Sequence, residues 1–363
     1  MLTVFKDWRG VQRGLMALLV MVCFGTSSVA MMEMTDENLD NVVGQSLFTS
    51  NTATNGAFTY YRLGIDAEMN MNLNINRLAL GCDGAGATGT CDIDINRVRL
   101  HGISATPDTT PLDGAFNDSG PSTDFMMRRP YLEFAIKNAG TAATREVSGM
   151  RIGALEALGG MSIGENPDVN NMADDTGITT ISGYMGAVLT NAQMTNVNAT
   201  PCWLSLGALC GLTATIATHS QALTLRRSTT FDLTGMSASA IGLSLNNTNL
   251  LGQPLRTIHR IDVAGNAALT LPTKDFFISV QKENVVWQKV SDGTFASGSN
   301  PAAEKGWWMY MPQVQFNNIT TNQNIDIPFA SVIGGVFGAA VNVAPVDLQQ
   351  RPADNCWGTL TFC

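Results

Sequence analysis

Charge, aromatic residues and histidine are all scarce in this sequence, and these shortages exclude several classes of protein. Charged residues make up 14% of the 363 residues, whereas soluble domains usually have about 25%. This low charge, together with 45% hydrophobic residues and 35 glycines, excludes a disordered polyelectrolyte and a coiled coil. The formal net charge of −9 excludes a basic nucleic-acid binder, because the phosphate backbone repels an acidic surface.

Beyond residue 30 the sequence also lacks a long hydrophobic run. Its longest apolar stretch, residues 329–341, is interrupted by Ser331 and three glycines, whereas a membrane-spanning helix needs about 20 consecutive apolar residues. We therefore expect no transmembrane helix after removal of a leader.

At about 150 residues per domain, the length allows two ordinary domains or one large all-β domain.

Residues 1–30 have the layout of a secretory signal peptide. Basic residues precede an apolar run at residues 15–24, and small residues then lead to Ala30, after which we expect cleavage. A retained membrane anchor is the alternative, but this run is about half the length that spanning needs. Residues 31–363 are then an exported β-rich region, located in the periplasm, at the outer-membrane surface or in an extracellular filament. Removal of three basic residues and one acidic residue leaves 18 against 29, a net charge near −11.

Cysteine usage also indicates export. The six cysteines beyond the leader are close sequence neighbours in pairs: Cys82 with Cys91, Cys202 with Cys210, and Cys356 with Cys363. In a secreted chain, three local disulfides are the simplest of the many connectivities that six thiols allow. Zinc is the rival interpretation, but none of these spacings matches a zinc knuckle and the histidines lie far apart in sequence. We therefore predict no metal site and no other cofactor.

The clearest local structure lies between residues 68 and 100. Residues 69–76 alternate strictly between apolar residues and asparagine, which predicts a half-buried strand with a solvated asparagine face. The sequence of residues 73–80 returns, little changed, at residues 93–100. Both copies lose the alternation at an Asn-Arg step, which is typical of a β-bulge or a strand bend.

This repeat fits two architectures. If the two flanking cysteines are bonded, the copies are the arms of an antiparallel hairpin with Leu80 near Asp92 or Ile93. If the period continues along the chain, they are rungs of a β-solenoid, with Ile75 above Ile95 in parallel register. Only these two copies are present, and a short disulfide-closed loop suits a hairpin, so we predict the hairpin.

Short strands separated by turn residues dominate the rest of the chain, and helical periodicity is nearly absent. We predict strands at residues 131–137, 145–152, 184–190, 222–226, 238–245, 258–263, 276–281, 285–290 and 307–316. One helical turn is predicted at residues 36–44. The predicted fold class is therefore all-β, an antiparallel β-sandwich-like arrangement of many short strands and long loops, with the β-solenoid as the alternative. The loop at residues 165–176 is the best candidate for a domain boundary.

Motifs that carry chemistry are scarce. Ser162 lies in a Gly-x-Ser-x-Gly pattern, as in the nucleophile elbow of serine hydrolases. That elbow needs a strand before the serine, a helix directly after it, and an acid and a histidine further along the chain. His219 and His259 follow, but a turn-forming sequence comes directly after the motif. We therefore interpret Ser162 as a small residue at a Gly-rich strand end and predict a non-enzymatic protein.

An aromatic strand is the best candidate for a binding surface. Strand alternation sends Trp307 and Met309 to one face, and Trp308 and Tyr310 to the other. Because both faces carry large apolar groups, one interpretation is a central strand that is covered on both sides. The other is an exposed patch of Trp307, Trp308 and Tyr310 that docks a protein or a glycan.

Several segments taken together resemble a known family. They are residues 34–45 (MTDENLDNVVGQ), the pair 73–82 (LNINRLALGC) and 91–97 (CDIDINR), residues 131–138 (YLEFAIKN) with 144–152 (TREVSGMRI), and the ending 354–363 (DNCWGTLTFC). As a set they resemble the FilA-type pilus-assembly proteins of Gram-negative bacteria, from about residue 34 to residue 363. This resemblance implies an exported protein associated with a surface filament, and it carries no catalytic residues.

Three functional hypotheses follow. The first is a non-enzymatic structural or assembly component of a pilus-like filament, whose partners are other envelope proteins or copies of itself and not nucleic acid. The second is a surface adhesin that binds glycan or protein through the aromatic strand, and the third is a secreted Ser162 hydrolase. A type IV pilin is excluded, because no long apolar helix follows Gly25. Residues 329–343 are apolar and Gly-rich, as expected of a strand exchanged between subunits or of a buried core strand.

Overall fold

The computed structural model describes residues 47–83, 91–103, 124–201, 209–295, 302–317 and 319–353. The predicted leader, the predicted helical turn at residues 36–44, and Cys202, Cys356 and Cys363 lie outside these residues. The described residues belong to a single unit that begins at Leu47.

The described part of the chain consists almost entirely of strands, which confirms the all-β fold class. In chain order the strands are β1 (Phe48–Asn55), β2 (Phe58–Ile65), β3 (Glu68–Met71), β4 (Leu73–Leu80), β5 (Ile93–His101), β6 (Phe125–Lys137), β7 (Glu146–Ser162), β8 (Ile178–Thr190), β9 (Ala192–Thr200), β10 (Leu212–Ile216), β11 (His219–Ser228), β12 (Thr230–Ala240), β13 (Leu243–Pro254), β14 (Arg260–Val263), β15 (Thr273–Gln281), β16 (Gly306–Asn317), β17 (Thr320–Thr321), β18 (Ile325–Pro328) and β19 (Val341–Val343). One α-helix, α1 (Phe329–Val336), and one 3₁₀ turn (Leu255–Thr257) complete the regular structure of the described residues.

Twelve strands form the first sheet, in which most neighbours are antiparallel. Within it, β7 pairs with β14, β14 with β16, β16 with β8, β8 with β5, and β5 with β7 again. This circuit of pairs closes part of the sheet on itself. The pair β16–β8 is parallel, so the sheet is mixed rather than purely antiparallel.

Seven strands form a second sheet. The chain enters it from β8 into β9 through Asn191, which adopts the left-handed conformation (φ 54°), and again from β11 into β12. Apolar side chains of both sheets meet in one hydrophobic cluster, which includes Leu189 and Leu225 from the first sheet and Phe231 and Leu250 from the second. Two sheets around a shared core are consistent with the predicted sandwich-like packing.

The sequence repeat is an antiparallel hairpin, as predicted. β4 pairs with β5 so that Leu80 faces Ile93 and Ile75 faces Val98, which excludes the parallel register of a solenoid. The Asn-Arg step of the second copy is a bend, because Arg97 adopts the left-handed conformation (φ 44°). β5 pairs with β8 before this bend and with β7 after it. The broken alternation therefore marks the point where one strand changes its neighbour.

Three predicted strands differ from the structure. Residues 238–245 contain the turn between β12 and β13, because Ile241 (φ 45°) and Gly242 (φ 78°) reverse the chain. Residues 285–290 make only isolated bridges. Residues 329–336 form α1 and not a strand, which corrects both interpretations for the first part of the apolar stretch 329–343. Its last three residues form the strand β19, in which Val341 and Val343 are buried. A helix satisfies its own backbone hydrogen bonds and therefore needs no strand neighbour.

The loop at residues 165–176 begins and ends in the first sheet. Glu165 and Thr176 pair across its base, and the strands on either side of it, β7 and β8, both belong to the 12-stranded sheet. Gln349, far along the chain, donates a side-chain hydrogen bond to the carbonyl of Val169 at 2.9 Å. The loop is thus held against the segment that follows β19.

Candidate functional site

The aromatic strand lies inside the first sheet. Within β16, Trp308 is 1% exposed and Tyr310 is 4% exposed. The Tyr310 ring stacks between Tyr184 and Phe277, at centroid distances of 5.2 and 4.8 Å. Trp308 and Tyr310 are therefore core residues and do not form a surface patch. Trp307 differs from both, because it is only half-buried. It lines an open cleft.

We call this opening the Trp307 cleft. It has a volume of about 540 Å³ and lies where the end of the β4–β5 hairpin meets β11 and the start of β16. Its lining residues are Gly81, Cys82, Asp83, Asp92, Ser182, Arg226, Arg227, Glu304, Lys305, Gly306, Trp307 and Trp308. Among the predicted site residues, the structure thus brings Trp307 together with a cysteine of the first pair. The charged side chains of the cleft were not predicted, because they come from three separate parts of the sequence.

Asp92 organises the cleft. Its buried carboxylate accepts hydrogen bonds from Arg227 Nε at 2.8 Å and from the Trp307 backbone N–H at 2.9 Å. Arg227 also donates to Asp83 at 2.5 Å. The hydrogen bonds to Asp83 and Asp92 raise the pKa of Arg227, and the hydrogen bond from Arg227 lowers the pKa of Asp83. Both aspartates therefore interact with a guanidinium that stays charged.

The backbone around Asp92 is shaped by two glycines and a disulfide. Gly81 (φ 66°) and Gly306 (φ 105°) are left-handed, and a Cβ atom at either position would overlap the Asp92 carboxylate. Cys82 and Cys91 are joined by a disulfide, as predicted, so the two ends of the intervening loop are held next to the cleft. Cys210 is also disulfide-bonded. The predicted Cys202–Cys210 and Cys356–Cys363 pairings each involve residues outside the described part of the chain.

Ser162 lies at the end of β7 and contacts a histidine that the sequence did not suggest. Its Oγ atom lies 2.9 Å from His101 Nε2 and accepts a hydrogen bond from the Ala353 backbone N–H at 3.1 Å. His101 precedes Ser162 in the chain, whereas the motif directed attention to histidines after it. Such pairs are recognised by geometry and not by chain order. Gly160 leaves room for the His101 ring, because a Cβ atom at residue 160 would overlap that ring.

The surroundings of this pair are closed to solvent and differ from those of a catalytic triad. Ser162 is 0% exposed and His101 1% exposed. His101 Nδ1 lies 2.6 Å from the Gly102 carbonyl oxygen, so a carbonyl stands where a catalytic triad has a carboxylate. Burial lowers the pKa of His101 to about 4, so the ring is neutral at physiological pH. His259 Nδ1 contacts the carbonyl of Ile163, next to Ser162 in the chain.

A second exposed feature lies on α1. The apolar side chains of Phe329, Ile333 and Val336 are exposed, and Phe337, directly after the helix, is 84% exposed. We call these four residues the α1 surface. Large apolar side chains that are exposed together mark interaction sites more often than isolated ones do.

The sheet that carries α1 is almost free of charge. Asp232 and Asp326 are the only charged residues in the described strands of the second sheet and in α1. Gly335 of α1 packs closely against Val341 and Leu245, so the helix lies directly on β19 and β13. Apolar side chains of α1 and of the β12–β13 turn also line a cavity of about 60 Å³. This region therefore offers apolar contacts, and few ionic ones, to a partner.

Comparisons with family models, with curated proteins and with solved structures found no match to this chain. Within the described parts of the chain, we find no helix with the length and apolarity needed to cross a membrane. Among the same residues, no three His, Cys, Asp or Glu side chains are grouped so as to hold a metal ion.

Proposed function

We propose that this protein is a non-enzymatic, exported envelope or surface protein that acts as a structural or assembly component of a pilus-like filament. The exposed α1 surface carries this proposal. Its four side chains lie on, or directly after, a helix that is packed against a sheet. When a neighbouring subunit covers such a surface, the burial of its apolar side chains lowers the free energy of the assembled state.

Burial of these side chains favours assembly. Full burial of a Phe, Ile or Val side chain is worth about 1.5–3 kcal/mol, and the four side chains of the α1 surface are between 36% and 84% exposed, so covering each of them contributes a part of that value. The scarcity of charge in the second sheet removes the desolvation cost that ionic groups would add. Another copy of this chain, or another envelope protein with an apolar face, is the partner that fits this surface.

Other observations support the export and the lack of enzymatic activity in this proposal. The expected signal peptide and the Cys82–Cys91 disulfide are typical of proteins that fold outside the cytoplasm. The resemblance to FilA-type proteins supports the association with a filament. The complete burial of Ser162 supports a non-enzymatic role, since a nucleophile must reach its substrate.

Cell fractionation tests the proposal. Cells that produce the full chain are separated into cytoplasm, periplasm, outer membrane and sheared surface filaments, and the protein is detected in each fraction. We expect it in the sheared filaments. The double variant Ile333→Ser/Phe337→Ser should leave that fraction and accumulate in the periplasm or outer membrane, because the apolar contact is lost.

Leu271→Ser is the matched control, since Leu271 is also an exposed apolar residue (57%) but lies outside the α1 surface. This variant should remain in the filament fraction. Absence of the unaltered protein from sheared filaments, or an unchanged distribution of the double variant, would contradict the proposal.

A further inference from the structure

We propose that the Trp307 cleft binds a neutral oligosaccharide. This inference goes beyond a role in filament assembly, because the cleft and the α1 surface share no residue. The cleft volume of about 540 Å³ lies within the range of about 300–1,000 Å³ that is usual for small-molecule sites. Its lining combines an indole ring with several charged side chains, which suits a ligand that has an apolar face and a polar rim.

The charges of the cleft balance each other. Its acidic residues are Asp83, Asp92 and Glu304, and its basic residues are Arg226, Arg227 and Lys305. Arg227 pairs with both aspartates, and Arg226 pairs with Glu304 at 2.9 Å. A charged ligand that binds any of these five paired side chains would compete with one of the pairs. Removal of one member of such a pair is costly wherever the remaining charge is shielded from water.

A neutral, hydroxyl-rich ligand avoids this cost. Each carboxylate oxygen has more than one acceptor site, and each guanidinium carries five N–H groups, so the paired residues retain hydrogen-bonding capacity. Sugar hydroxyls both donate and accept, and they therefore bind to a carboxylate and a guanidinium at the same time. Hydrogen bonds to ionised groups are also stronger than those between neutral groups.

Trp307 provides the apolar contact. The face of an aromatic ring carries partial negative charge, and the C–H groups on the face of a pyranose ring carry partial positive charge, so the two stack. Trp307 is held in place by the hydrogen bond from its backbone N–H to Asp92. A sugar ring placed against this indole directs its hydroxyls towards the charged side chains of the cleft.

The backbone of the cleft has several local constraints. Gly81, Arg227 and Gly306 all have positive φ, and the Cys82–Cys91 disulfide closes the loop next to Asp83. The pairing of β11 with β8 shifts between Leu225 and Ser228, so Arg227 lies on a β-bulge. Bulges commonly direct side chains into binding sites. A preorganised site loses little conformational entropy on binding.

A glycan array followed by isothermal titration calorimetry tests this inference on the purified mature chain. The array carries neutral oligosaccharides (maltohexaose, cellotetraose and chitotetraose) and acidic ones (sialyllactose and a heparin hexasaccharide). We expect at least one neutral oligosaccharide to bind, and to bind more tightly than the acidic ones. Trp307→Ala should weaken that binding by about tenfold or more.

Tyr61→Ala is the control, because it removes an exposed aromatic side chain that lies outside the cleft; it should leave binding unchanged. If Trp307→Ala fails to fold, the exposed Arg226→Ala decides, with an expected loss of about threefold or more. Failure of every oligosaccharide to bind, a preference for acidic ones, or equal losses in the cleft variants and in Tyr61→Ala would overturn the inference. None of these results bears on the filament proposal, which is tested through Phe337.

Discussion

His101 Nε2 and Ser162 Oγ lie 2.9 Å apart in a site that is closed to solvent. The Gly102 carbonyl can only accept a hydrogen bond, so the neutral His101 ring carries its proton on Nδ1 and donates it there. Nε2 then accepts the Ser162 hydroxyl proton, and Ser162 Oγ accepts the Ala353 N–H. This chain of bonds joins the end of β5, the end of β7 and the segment after β19.

We expect Ser162→Ala to lower the free energy of unfolding by about 1–3 kcal/mol, because it leaves His101 Nε2 and the Ala353 N–H buried without this partner. Urea unfolding measures the change. The exposed Ser237→Ala is the control and should stay within about 0.5 kcal/mol of the unaltered protein. A fluorophosphonate probe should not label the native protein. Labelling that disappears in Ser162→Ala would instead reveal a serine hydrolase.

Stability should depend on the protonation of His101. Burial, with smaller effects from Arg260 and Arg99, lowers its pKa to about 4, against about 6.5 in an unfolded chain. The unfolded state therefore takes up a proton that the folded state does not bind. The stability that comes from keeping His101 neutral in the folded state is fully present above about pH 6.5. It is lost progressively as the pH falls towards 4, and the total loss is up to about 3 kcal/mol.

Unfolding in urea between about pH 7 and about pH 4 measures this dependence. In His101→Gln the part of the pH dependence that belongs to His101 should be absent, so stability should fall less steeply on acidification. Parallel pH curves for the two proteins would show that His101 does not titrate in this way.

Gly81→Ala should destabilise the protein and disturb the position of the Asp92 carboxylate in the Trp307 cleft. Gly81 is left-handed, and an added Cβ would overlap the Asp92 carboxylate. Gly56→Ala is the matched control, because Gly56 is also left-handed (φ 59°) but has no atom within 4 Å of an added Cβ. Both variants carry the backbone cost of about 1 kcal/mol, and Gly81→Ala should cost more. Equal losses of thermal stability would show that Asp92 moves aside freely.

Glu133→Gln should be among the most damaging single changes. Glu133 and Arg151 form an ion pair in which both side chains are almost completely buried. The Arg151 guanidinium also packs over the rings of Phe277 and Trp287, each at 4.9 Å. Loss of one partner from a buried pair costs about 3–5 kcal/mol. Glu68→Gln breaks an exposed pair with Arg128 and should cost much less, because water screens the interaction of exposed charges; similar losses in both variants would contradict this expectation.

Peptide mapping of the exported protein without reduction tests the remaining sequence predictions. We expect Met31 as the first residue, and links of Cys82 to Cys91, Cys202 to Cys210 and Cys356 to Cys363. A long-range link such as Cys82 to Cys363 would show that sequence proximity does not determine the pairing. Retention of Met1 would exclude cleavage of the leader.

The all-β class and the β4–β5 hairpin were predictable because they depend on local patterns. Alternation of apolar and polar residues specifies a strand whatever its neighbours are, and a short disulfide-closed loop brings two consecutive strands together. The broken alternation at Arg97 was visible for the same reason. The sequence did not show that β5 pairs with β8 before this bend and with β7 after it, because these pairing partners are distant in the chain.

The sequence by itself determined the class of fold, the first disulfide and the presence of a large aromatic strand. Only the tertiary structure decided which aromatic side chains are covered: Trp308 and Tyr310 are buried, while Trp307 borders a cleft. It also turned an apolar stretch into the exposed helix α1 and brought His101 to Ser162. The physical reason is that burial and side-chain contact depend on packing between distant segments, whereas alternation and loop closure depend only on neighbours in sequence.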